Sequence, residues 1–157
     1  MSMIKRPSAQ QAAVAWLKTL PELSGMPVAS TLPDPAQWGG QDFVTVGGSM
    51  GGIPSAFIMT RTPVLQVDAW AVAPNSARPA WNRASVTIEA IRDACYGAMA
   101  HQVIAMPAGF TAVELQGVIP RSEPRRMTGD VDAIAHYVIT LEFSYSLAGL
   151  TSASTEG

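Results

Sequence analysis

Pro63-Val64-Leu65-Gln66-Val67-Asp68-Ala69-Trp70-Ala71-Val72 alternates along its whole length. Leu65, Val67, Ala69 and Ala71 fall on one side, and Gln66, Asp68 and Trp70 on the other. A period of two over that span specifies a half-buried strand. Pro74-Asn75-Ser76-Ala77-Arg78-Pro79 follows as a turn. Ala84, Ile88, Ile91, Cys95 and Ala98 then recur at spacings of four, three, four and three, the stripe of an amphipathic helix reaching His101. Strand, loop and helix make one packing unit, and the rest of the chain has to complete the sheet beneath that helix.

Working outward, Ser8 and Gln11 form a capping box for a first helix whose apolar side is Ala13, Trp16, Leu17 and Leu20. Pro21 ends it. Gly25 to Gly40 reads as a long connection, with Pro27 to Ser30 as a candidate short strand. Asp42 to Val46 and Ser55 to Thr60 read as a hairpin around the glycine turn Gly47 to Gly52. Thr111 to Ile119 reads as a strand with Val113, Leu115, Gly117 and Ile119 inward, and Pro120 to Asp130 as a charged loop. The clearest strand is the last. Tyr137, Ile139, Leu141, Phe143 and Tyr145 alternate with Val138, Thr140, Glu142, Ser144 and Ser146, one face apolar and one mostly polar.

The expected architecture is therefore α+β: a mainly antiparallel sheet of about five strands with two helices packed on one face. Residues 1–157 read as a single domain, with 1–7 and 147–157 expected to be flexible.

Charged residues make up 14% of the chain, against about 25% in an ordinary globular protein. So few charges favour a surface that meets other protein, although an Ala-, Gly- and Pro-rich genome would give the same composition. The net charge of −2 argues against sequence-independent nucleic-acid binding. Cys95, the single cysteine, cannot form an internal disulfide and sits on the apolar helix stripe as a small core residue. No apolar run approaches the ~20 residues that span a bilayer, and the N-terminus lacks the apolar core of a signal peptide. A soluble protein made in a cytoplasm is expected.

Gly47-Gly48-Ser49-Met50-Gly51 matches the nucleophile elbow of serine hydrolases, which requires a strand, a sharp turn and then a helix. Pro54 and the flanking glycines oppose a helix there, so a hairpin loop is the preferred reading and catalysis by Ser49 the alternative. His101 and His136 lack partners at metal-ligand spacing, and no metal or cofactor is expected. His101 is read as serving the central helix's C-terminus, and His136 as a surface residue. Asp68 could serve as a general base, but a lone carboxylate on a strand reads first as solvated or paired with a surface arginine. Arg121, Arg125 and Arg126 form a small basic cluster that could contact nucleic acid, but with Glu123 and Asp130 interleaved a solvated loop or a protein contact is the preferred reading. Trp70 either faces outward as an interface anchor or lies under another element.

The order of elements resembles the tail terminator (tail-completion, tube-capping) proteins of long-tailed bacteriophages. The likeness rests on Pro63 to Ala71, the loop after it, the helix Ala84 to His101, the Arg-Met-Thr-Gly-Asp loop and Ala135 to Phe143, and it spans about Pro7 to Ser146. It implies a non-enzymatic virion protein that forms a ring, as a homohexamer. Tail-tube protein would lie on one side and the head-completion or connector protein on the other. DNA would meet it only in transit through the lumen, and no membrane would be involved. A head-completion (neck) role is the alternative within the same class. The expected interface residues are Gln66, Asp68, Trp70, Arg121, Arg125, Arg126, Thr140 and Glu142, with the loops at Gly25–Gly40 and Pro120–Asp130.

Overall fold

The computed structural model describes residues 4–33, 41–52, 59–73, 79–107, 109–127 and 134–149. Helix α1 spans Ala9–Thr19 and α2 Trp81–Ala94. The strands are β1 (Val28–Ala29), β2 (Phe43–Gly51), β3 (Val64–Val72), β4 (Gln102–Ile104), β5 (Val113–Pro120), β6 (Arg125–Met127) and β7 (Ile134–Leu147). They form one sheet in the order β1-β2-β3-β7-β5-β4, with β6 also paired to β7. β1 runs parallel to β2 and every other pair is antiparallel. The fold is α+β as expected, but the sheet is mixed and has seven strands rather than about five.

β3 and β7 are the centre. Their register pairs Leu65 with Leu141, Val67 with Ile139 and Ala71 with Ala135, so the apolar sides of the two best-patterned segments coincide. Both helices lie on that side: Trp16 and Leu17 from α1, and Ile88 and Ile91 from α2, share one core with it. The Trp16 and Phe143 rings meet edge to face at 5.5 Å, and Trp16 Nε1–H donates to the Met99 carbonyl at 2.9 Å. Ala71, Ala84 and Ala135 are buried together, and small side chains there let α2 approach the sheet closely. α1 touches β1 and β2 at one end of the strand order and β4 at the other, so the sheet curls around it. The capping box at Ser8 and Gln11 is formed.

Several boundaries differ from the sequence reading, each for a local reason. The central helix ends at Ala94 instead of reaching His101; a turn, a 3-10 turn at Ala98–Ala100 and strand β4 follow. His101 is thus exposed and away from the helix terminus. β2 continues through the glycines to Gly51 and pairs with β3, with register shifts at Val46/Ser49 and Ser49/Gly51. The expected turn is therefore a bulged strand. Gly52, at φ +125°, has the Thr62 carbonyl where a Cβ would stand, which requires glycine at that crossing. The expected strand Ser55–Thr60 falls mostly outside the described residues, and Met59 and Thr60 are not in a strand.

In β5 a register shift between Leu115 and Gly117 reverses the faces beyond it. Val118, not Gly117 or Ile119, points into the core, and Ile119 is 46% exposed. Part of the charged loop forms β6. The N-terminal segment is tied down from Lys5, whose carbonyl accepts from Thr111 N–H at 2.9 Å, and Pro7 is buried. Residues 150–157 lie outside the described residues.

Cys95 is 7% exposed and its Sγ–H donates to the Ile91 carbonyl. Burial pushes the thiol up to about 12 from its ordinary 9.0. In the unfolded chain the thiol ionises first, so its share of stability is complete below about pH 9 and lost as pH rises towards 12. Iodoacetamide at mildly alkaline pH should therefore alkylate Cys95 rapidly in denaturant and at least tenfold more slowly in the native protein. Equal rates would contradict its placement in the core.

Candidate interaction surface and the buried Asp68–His136 pair

The face of β3 and β7 away from the helices carries Gln66, Asp68 and Trp70 beside Thr140, Val138 and His136. It is not simply a wet face. Thr45, Asp68 and His136 are 6%, 7% and 6% exposed. The register sets Trp70 opposite His136, and their rings stack with centroids 3.6 Å apart and planes 11° from parallel. Trp70 Nε1–H donates to Thr45 Oγ1 at 2.9 Å. His136 Nε2 lies 2.7 Å from Asp68 Oδ1, and Gln66 Nε2–H donates to the same oxygen at 3.0 Å. Asp68 is thus neither solvated nor held by a surface arginine, and His136 is not a surface residue. Trp70 is half-buried and already engaged through both its ring and its N–H.

Chemically this is a closed polar strip. A buried carboxylate is costly unless hydrogen-bonded, and two neighbouring side chains supply those bonds. The strip joins β2, β3 and β7 on the side opposite the core.

Arg121, Arg125 and Arg126 do not form one basic patch. Arg121 is exposed and bound to Glu142 at 2.8 Å. Its N–H donates to the Thr140 carbonyl, and Ser122 Oγ accepts from Thr140 N–H at 3.0 Å. Arg125 and Arg126 are successive residues of β6, so their side chains leave opposite faces. The Arg126 guanidinium stacks 3.8 Å over the Trp81 ring on the helix side. Of the residues expected at an interface, Gln66, Trp70, Thr140 and Glu142 therefore share one face with Arg121 at its margin. Asp68 is internal to it, and Arg126 belongs to the other side.

Ser49 is exposed on β2 between two register shifts, with its hydroxyl bonded to the Gly51 backbone. A nucleophile elbow would place it on a turn leading into a helix, so the motif match lacks its mechanical context at Ser49. Among the described residues no group of three His, Cys, Asp or Glu is placed to hold a metal ion.

The sequence reading missed a groove of about 630 Å³ between α1 and β4, lined by Gln10, Val14, Lys18, Ser30, Val103 and Met106 among others. β4 is the last strand in the order, and Val103 is 60% exposed. The available signal is the short apolar run Val103 to Met106 stopped by Pro107, which the sequence analysis assigns to no element. At the other end of the sheet β1 covers only Val44 and Thr45 of β2, and Gln10 Nε2–H donates to the Val46 carbonyl just beyond.

No family model matches the chain, and no curated protein matches it. A solved structure whose name describes no function matches at 15% identity, covering 90% of this chain and 98% of its own, with a TM-score of 0.43. A similarity that loose fixes neither fold nor function.

His136→Ala would remove the stack on Trp70 and one of the two side-chain bonds to the buried Asp68 carboxylate. An under-satisfied buried group costs about 1–3 kcal/mol, and urea unfolding should show a loss of that size. Thr140→Ala, on the same face but without a side-chain bond among the described residues, should stay within about 0.5 kcal/mol of the parent. Equal losses in the two variants would contradict the role given to the pair.

Proposed function

We propose that the protein is a ring-forming structural subunit of a phage tail, acting as the tail terminator. In this reading it caps the tail tube, ends tube polymerisation and joins the tail to the head-side connector. It works as a homohexamer in the virion, assembled in the host cytoplasm, without catalytic site or cofactor.

The observation that carries the reading is the pair of unlike sheet edges. Among the described residues, one edge is β4, short and flanked by the groove along α1, and the other is the part of β2 that β1 leaves uncovered. Unpaired edges are sites where another chain can add. Two unlike contact surfaces on one subunit make a heterologous, head-to-tail contact, and such contacts close into rings when the rotation allows. The exposed apolar side chains Val86, Tyr96 and Val103, at 63%, 71% and 60% exposure, add surface of the kind that assembly covers. The order of strand, helix and final alternating strand supports the same reading. On the sheet's second face Gln66, Trp70, Thr140 and Glu142 remain as contact residues, with Arg121 and Arg125 at the margin.

The test is assembly. The tail-tube protein encoded with this chain should polymerise into tubes of uncontrolled length alone, and into shorter tubes with one end closed when this protein is added, as seen by negative-stain electron microscopy. Tubes of unchanged length and bare ends would contradict a terminator role, and binding to the connector alone would move the protein to head completion.

A further inference from the structure

A small cavity of about 40 Å³, lined by Arg6, Pro7, Met59, Arg61, Tyr145 and Leu147 among others, lies at the C-terminal end of β7, where Arg61 continues the line of β3. Tyr145 is 2% exposed, and its hydroxyl is the one buried side-chain polar atom with no hydrogen-bond partner among the described residues. An unpaired buried hydroxyl costs about 1–3 kcal/mol, and such a group calls for a specific explanation.

Two cations line the same cavity. Arg61 is held by a two-way backbone bridge to Tyr145, with N–H···O distances of 2.7 and 3.0 Å in the two directions. Residues directly opposite in an antiparallel pair send their side chains to the same face. The Arg61 guanidinium accordingly sits 5.7 Å from the centre of the Tyr145 ring. Arg6 enters from the segment leading into α1, whose course is fixed by the Lys5–Thr111 backbone bond and by buried Pro7. Neither arginine has an acidic partner among the described residues, whereas Arg83, Arg92 and Arg121 each do. Burial pushes the pKa of the Tyr145 phenol up from its ordinary value while the Arg61 charge opposes that rise, so the phenol stays a donor at neutral pH and the guanidinium acts on it electrostatically.

We propose that Arg6, Arg61 and the Tyr145 hydroxyl form a receptor for one carboxylate side chain, an Asp or Glu presented by a partner polypeptide. A carboxylate offers two acceptor oxygens, one for the hydroxyl and one for a guanidinium. A space this small suits the planar head of a side chain and excludes a nucleotide or a sugar acid. Met59, 59% exposed at the rim, and Leu147 supply apolar surface for the stem of that side chain. The receptor does not rest on the ring reading, because a monomer would bind the same group.

The test uses the full chain labelled with 3-fluorotyrosine, with the Tyr145 fluorine signal assigned through Tyr145→Phe. The probe is the blocked peptide acetyl-Gly-Glu-Gly-amide, compared with its Gln counterpart, acetate and inorganic phosphate at equal ionic strength. The Glu peptide should shift the Tyr145 signal saturably and bind more tightly than acetate, while the Gln peptide and phosphate leave the signal in place. Arg61→Gln and, separately, Arg6→Gln should each weaken the Glu peptide about tenfold, the size of one charge-assisted hydrogen bond, with the amide spectrum of the fold preserved. The absence of a saturable shift, an equal shift from the Gln peptide or phosphate, acetate binding as tightly as the peptide, or binding unaffected in both arginine variants would each overturn the proposal.

Discussion

The two-sided pairing of β7 is the constraint on which the rest of the molecule depends. Its 14 residues, Ile134 to Leu147, bond to β3 along one edge and to β6 and β5 in succession along the other. Among the described strands it alone joins the β1-β2-β3 half of the sheet to the β5-β4 half. Because side chains alternate with a period of two, this one strand fixes which residues face the helices and which face away for all its neighbours. Sliding it by one residue would expose Ile139, Leu141 and Phe143 and bury Thr140, Glu142 and Ser144. The helices then follow: α2 packs on β3 and β7 directly, and α1 packs on the flanking strands whose inward faces that register sets.

The same register builds the second face. Opposing Trp70 to His136 across the ladder brings the imidazole into contact with both the indole and the Asp68 carboxylate. The polar strip therefore derives its geometry from the backbone ladder, and it reinforces that ladder from the side the core does not reach. Tyr145 and Arg61 show the same logic at the far end of β7, where a single bridge sets a cation beside a buried phenol.

What the sequence made legible was whatever depends on period. The strands β3 and β7, both helices, the capping box at Ser8 and the buried position of Cys95 all follow from spacing. What it hid depends on register and on long-range pairing. The bulge after Leu115 moves Val118 inward and Ile119 outward, and no local pattern announces one extra residue in a strand. β4 and β6 have three residues each, too few for a period to be read. Asp68 and His136 are 68 residues apart, and only the β3–β7 register reveals them as partners. The glycines from Gly47 to Gly51 resembled a turn because glycine is common there, yet pairing with β3 holds them in a strand.

Two unlike sheet edges among the described strands support the proposal of a ring subunit, and oligomeric state tests that proposal most directly. The decisive measurement is native mass spectrometry of the purified protein over a concentration series, repeated with tail-tube protein present. The account predicts one closed species of six copies, formed either alone or on the tube protein. A monomer at every concentration in both series would contradict it.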